Sequence, residues 1–144
     1  MKKLLSAAIG AITAITVYLL SQGVLNDILH GARDETSKEF LSQVANEVNK
    51  NCPMMVDSET ELMNTVGLDG VVVYNYRLVN TLKDDVKPDV FVESLRPQVV
   101  QQACTTPATR EDLLQDGITM RFVYHDRDKS YLASLDVSID DCDL

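Results

Sequence analysis

Cys104 and Cys142 bracket the stretch that most limits what this chain can fold into, because every local signal between them agrees on one compact unit. Thr106-Pro107 predicts a helix start: a hydroxyl cap, then a proline whose missing N–H is not needed in a first turn. Gly117 predicts its end, since glycine takes the left-handed position after a helix without a Cβ penalty. Two alternating runs follow. Ile118, Met120, Phe122 and Tyr124 fall on one face of the first; Tyr131, Ala133, Leu135 and Val137 fall on one face of the second. The polar connection Asp126-Arg127-Asp128-Lys129-Ser130 pairs the runs as a β-hairpin. A disulfide between the two cysteines would tie the preceding helix to the end of the last strand. It would close a loop of about 39 residues, worth ~3–4 kcal/mol in the chain-entropy account. Spacing alone leaves pairings of the third cysteine, Cys52, with either of the others open.

A structural disulfide needs an oxidising compartment, and the N-terminus supplies a route to one. Lys2-Lys3 precede an apolar run from Leu4 to Leu20, 17 residues long. That is at the short end of the ~17–25 that span a bilayer and longer than a usual signal-peptide core. The expectation is an uncleaved signal anchor over residues 1–25, with the lysines cytoplasmic and the acidic remainder in the periplasm. Ser21-Gln22-Gly23 keeps open the alternative, cleavage after Gly23 and release to the periplasm. No cysteine lies between Ser21 and Gly31, so N-terminal lipid modification is not expected. Residues 26–34, with Gly31, read as a linker, and 35–144 as one domain. The formal net charge of −9 argues against a nucleic-acid partner, which needs clustered Lys and Arg.

Within the domain, Phe40, Leu41, Val44, Ala45 and Val48 recur at helical spacing after Thr36-Ser37, and Asn51-Cys52-Pro53 ends that helix. A strand is expected over 61–66, then a turn with glycines at left-handed positions across Gly67-Leu68-Asp69-Gly70. The strand 71–79 puts Val72, Tyr74, Tyr76 and Leu78 on one face; its first half is apolar on both, as for a strand covered on both sides. A helix from Pro88 to Ala103 has an inward stripe Val92, Leu95, Val99 and Ala103, with a kink or split at Pro97. The order α-ββ-α-α-ββ predicts an α+β domain: a four-stranded antiparallel sheet packed with helices and preceded by the transmembrane helix.

Chemistry-bearing residues are sparse. Cys52 as a nucleophile would need a base, and the two histidines are His30, in the linker, and His125, at a strand end on the polar face. Cys52 is read as a free thiol at a helix end, with thiol-redox use or an intermolecular disulfide as alternatives. Asp126, Asp128 and Ser130 alternate like calcium ligands, but the glycine and distal glutamate of such a loop are absent, so a solvated turn is expected. Asp57-Ser58-Glu59-Thr60 reads as a self-bonded turn, or as a recognition element. Arg77 and Arg121 are expected to pair with Asp136 across the sheet, with a ligand carboxylate as the alternative partner. No phosphate loop, nucleophile elbow or histidine-rich metal motif occurs, so neither a cofactor nor catalysis is expected.

The segment ACTTPATREDLLQDGI, the following hairpin and the terminal Asp141-Cys142 resemble the C-terminal half of the AspS pilotins of type II secretion. The resemblance extends over roughly residues 36–142. It implies a helix-flanked antiparallel sheet, a Cys104–Cys142 disulfide and a peptide-binding groove. Pilotins use an N-terminal lipid to escort a secretin subunit, and this chain lacks the cysteine for that route. Pro53, Val56, Asp57, Thr60 and Leu62 also match a pattern in uncharacterised bacterial proteins. The reading is a membrane-anchored periplasmic protein-interaction domain, pilotin- or chaperone-like and non-enzymatic, with a protein partner in the envelope. Asp57, Thr60, Tyr74 and Tyr76 are its candidate interaction residues. An envelope inhibitor or immunity-type protein is the other alternative.

Overall fold

The computed structural model describes residues 37–143, so the expected anchor, linker and the helix start at Glu35-Thr36 lie outside the described residues. Among the described residues no helix is long and apolar enough to cross a membrane. Helix α1 (Lys38–Asn49) starts at Ser37, whose hydroxyl accepts the Phe40 N–H at 3.2 Å. It buries Phe40, Leu41, Val44, Ala45 and Val48, the stripe expected from their spacing. Strands β1 (Met54–Met55), β2 (Thr60–Leu68) and β3 (Val71–Leu78) follow, then helix α2 (Pro88–Thr105) and a single turn, α3 (Pro107–Arg110). Strands β4 (Thr119–His125) and β5 (Tyr131–Val137) form the C-terminal hairpin.

The sheet has five strands in the order β1-β2-β3-β4-β5, not the expected four. It is mixed, because β3 and β4 run parallel, from Val71↔Thr119 to Arg77↔His125. Alternation and turn signals report strands but not their relative direction. The direction follows from the connection: parallel neighbours need a crossover, and α2 with α3 supplies it between Leu78 and Thr119. Both long helices lie on one face. There Tyr74, Tyr76, Phe122 and Tyr124 form a ring stack with centroids 5.4–6.5 Å apart, and Phe91 of α2 meets Tyr124 edge-on at 5.2 Å. Val71 and Val73 on the opposite face are only half-buried, so β3 is not covered on both sides as expected.

Helix α2 runs unbroken through Pro97 rather than splitting. Pro97 and Glu93, whose carbonyl loses its partner to the proline, both lie on the exposed side of the helix, where the lost bond costs least. The inward stripe is Phe91, Leu95, Val99 and Ala103. Val92, expected inside, is half-buried on the flank, because both i and i+1 fit the spacing and the larger Phe91 wins the core. Thr106 does not cap α3; its hydroxyl donates back to the Gln102 carbonyl at 2.7 Å. Gly117 does take the expected left-handed conformation, φ 83°. Cys104 and Cys142 are bonded, with Cα atoms 5.3 Å apart, and Cys52 is free.

Of the turn glycines, only Gly70 is left-handed, at φ 72°. Gly67 lies within β2 and is there for a different reason: a Cβ would collide with the Leu41 carbonyl and the Ser42 nitrogen of α1. The helix backbone rests directly on the strand at this point. Gly67→Ala is therefore expected to push α1 off β2 and cost about 2–3 kcal/mol, read as a lower denaturation midpoint in urea.

Candidate functional site

A groove of about 700 Å³ runs between the flank of α2 and the outer strand β5. Pro88, Asp89, Val92, Glu93 and Arg96 form one wall, Tyr131 to Ser134 the other, and Lys83 lies among its lining residues. Its shape traces to a β-bulge. Tyr124 faces Ala133 but His125 faces Tyr131, so Leu132 is the extra residue of β5. Leu132 and Ala133 are consequently both buried, at 2% and 4% exposure, and Tyr131 is turned outward at 55%. This corrects the expectation that Tyr131 shares the inner face with Ala133, Leu135 and Val137.

The ends of the groove are held by charge-assisted contacts. Arg96 donates to the Asp136 carbonyl at 3.3 Å and to Asp141 Oδ1 at 3.1 Å, pinning α2 to the C-terminal end of β5. At the other end Asp126 organises the hairpin turn. Its Oδ1 accepts the Asp128 and Ser130 N–H groups, each at 2.9 Å, and Oδ2 accepts the Lys83 N–H at 3.0 Å. The turn is thus built around a buried carboxylate rather than being simply solvated. The Ser130 N–H is the main cause holding this carboxyl below its usual range, against the opposing pull of burial, with Lys83 and Asp128 N–H groups adding to it. Arg121 pairs with Asp136 through two bonds of 2.8 and 2.9 Å, as expected. Arg77 instead pairs with Glu61 on β2, Nε to Oε1 3.0 Å, because Glu61 is its cross-strand neighbour.

The candidate residues from the sequence lie elsewhere, below the segment joining α1 to β2. Asp57 Oδ1 accepts the Glu59 and Thr60 N–H groups at 2.7 and 2.9 Å, the local bonding expected of that turn. Thr60, Tyr74 and Tyr76 are core residues, 0%, 2% and 0% exposed. Asp57 Oδ2, Thr60 Oγ1 and the hydroxyls of Tyr76 and Tyr124 are buried without a hydrogen-bond partner in the protein. Burial pushes the Tyr76 and Tyr124 hydroxyls up, and the Asp57 carboxylate pushes Tyr124 further. Cys52 is half-buried, bonds the Val48 carbonyl at 3.6 Å, and burial raises its thiol too. A raised thiol pKa disfavours the reactive thiolate. His125 Nδ1 contacts the Tyr76 carbonyl at 3.2 Å, and His30 lies outside the described residues. Among the described residues no group of three His, Cys, Asp or Glu is placed to hold a metal ion. Sequence reasoning missed Asp89, Val92, Glu93 and Leu132 as groove residues; only the consecutive apolar pair Leu132-Ala133, which breaks the alternation, signalled the bulge.

No protein-family model and no curated protein matches the chain. Solved structures do. A Pseudomonas aeruginosa protein described as secreted superposes with a TM-score of 0.63 at 16% identity, over 78% of this chain and 99% of its own. The Vibrio vulnificus type 2 secretion pilotin EpsS gives 0.61 at 16%, over 76% and 94%. The Vibrio cholerae type II secretion pilotin AspS gives 0.56 at 15%, over 73% and 91%. The chain has a pilotin-like fold.

The bonding of Asp126 sets an expected acid response. A carboxyl whose folded pKa is lowered contributes stability above its unfolded value, about 3.9, and loses it as pH falls through the folded value. Asp126→Asn turns an N–H donor toward one of three N–H groups. It is expected to lower the thermal midpoint at pH 7 and to remove part of the further fall that the wild-type protein shows below about pH 4.

Proposed function

We propose that this chain is a non-enzymatic protein-binding module of the bacterial envelope, whose partner enters the groove between α2 and β5. The observation that carries the reading is the groove itself: concave, with apolar Val92 and Pro88 beside main chain and charge. The pilotin-like fold supports it, since pilotins belong to a secretion system, and a partner in such a machinery is the corresponding proposal here. The Cys104–Cys142 disulfide and the apolar run from Leu4 to Leu20 favour a periplasmic domain tethered to the inner membrane. The raised thiol of Cys52 speaks against the redox alternative.

A photo-cross-linking side chain at Tyr131, on the groove rim, and another at Met55, on the far edge of the sheet, separate the groove from the rest of the surface. Both positions are about half exposed, 55% and 51%. In cells expressing the full chain, a reproducible adduct to an envelope protein is expected from position 131 and not from 55. Adducts from 55 alone, or from neither, overturn the proposal.

A further inference from the structure

The two edges of the sheet are treated differently. On the β2 side, β1 covers Glu61 and Leu62, and side chains of α1 take over where β1 stops. Asn49 accepts the Thr65 N–H and donates to its carbonyl, both at 2.7 Å, as another strand would. Ser42 donates to the Gly67 carbonyl at 3.3 Å. An exposed row of unpaired main-chain groups is thereby removed. On the β5 side the cover is incomplete. Arg96 donates to the Asp136 carbonyl, which shows that residue's polar groups point outward. In an antiparallel pair such groups alternate, so the N–H and carbonyl of Ser134 point the same way. They open into the groove, which Ser134 lines.

The wall facing this open edge carries uncompensated charge. Arg96 is committed to Asp141. Lys83, exposed and acting on the Asp126 carboxyl only at longer range, has no ion pair among the described residues. Asp89 and Glu93, one helical turn apart, have no ion-pair partner among the described residues. The groove therefore combines unpaired main chain, the apolar surface of Val92 and Pro88, and two unpaired carboxylates against one unpaired lysine.

We propose that the Tyr131–Ser134 end of β5 is a strand-addition site for an extended, basic segment of a partner protein. This rests on the reading of the groove as the partner's site, and adds how the segment is held. Main-chain bonds to Ser134 supply the pairing. Alternate side chains of the segment face Val92 and Pro88, and a lysine or arginine meets Asp89 and Glu93. Four residues of edge span about 10 Å at ~3.4 Å per residue, so three or four residues of the segment pair.

The test uses the full chain and the pentapeptide Lys-Val-Thr-Val-Lys at millimolar concentration, with amide hydrogen exchange as the readout. Exchange at Ser134 is expected to slow at least about tenfold. The effect should vanish with the same peptide methylated on its backbone nitrogens, and weaken with Glu-Val-Thr-Val-Glu or in the double variant Asp89→Asn, Glu93→Gln. Four results overturn the proposal. They are no binding of the lysine peptide, binding without protection at Ser134, equal effects of methylated or acidic peptides, and protection before any peptide is added. The last would mean that the chain itself or a second copy fills the edge. A cross-link at position 131 together with any of these leaves the groove as the partner's site and removes only strand addition.

Discussion

The parallel pairing of β3 with β4 is the constraint on which the rest of the structure depends. Two parallel neighbours cannot be joined by a tight turn. The chain must leave the sheet after Leu78, cross one face and return at Thr119, and α2 is what it forms on the way. That crossing brings Phe91 onto Tyr124, leaves the other face half-open, and lays the flank of α2 beside β5. The disulfide then fixes the far end of the crossover, Cys104, to the segment after β5. Arg96 fixes its middle to Asp136 and Asp141. The helix is thus held by a covalent bond and an ion pair, and the groove is what remains where neither reaches.

Local features of this arrangement were legible in the sequence. The stripe of α1, the inner faces of β3 and β4, the left-handed Gly117 and the C-terminal hairpin follow from spacing and from single-residue conformational preference. Spacing cannot report what depends on two distant segments meeting. The direction of β4 against β3 is one such case. The role of Gly67 is another: in sequence it looks like a turn glycine beside Gly70, and its space requirement exists only because Leu41 packs on it. Arg77 chose Glu61 over Asp136 for the same reason, the register of β2 on β3. The groove was illegible because it is formed by residues on the flank of a helix and by a bulge whose trace in the sequence is one consecutive apolar pair, Leu132-Ala133.

The core has a second unusual property. Among the described residues five side-chain oxygens, on Asp57, Thr60, Thr65, Tyr76 and Tyr124, are buried without protein partners. An unpaired buried polar group costs roughly 1–3 kcal/mol, and ordered water is the usual remedy. The tyrosines still contribute their rings to the stack over the sheet, so the cost is offset by area buried. This places the sequence candidates Thr60, Tyr74 and Tyr76 in the core, with Asp57 half-buried in the turn before β2. A side chain sealed at 0–2% exposure, as these tyrosines and Thr60 are, meets a partner only if the covering segment moves.

The acidity of the chain acquires a location in this light. A net charge of −9 spread evenly would repel any anionic partner without choosing among the rest. The described cations, however, are mostly consumed inside the protein: Arg77 by Glu61, Arg121 by Asp136, Arg96 by Asp141. Beside the open end of β5 the unpaired Asp89 and Glu93 outnumber the unpaired Lys83. Main-chain pairing is indifferent to sequence, so selectivity at such an edge must come from what flanks it. Solved structures at 15–16% identity share the fold. Because a fold this divergent fixes where an edge lies but not what borders it, the choice of partner rests on those flanking side chains rather than on the architecture they stand on.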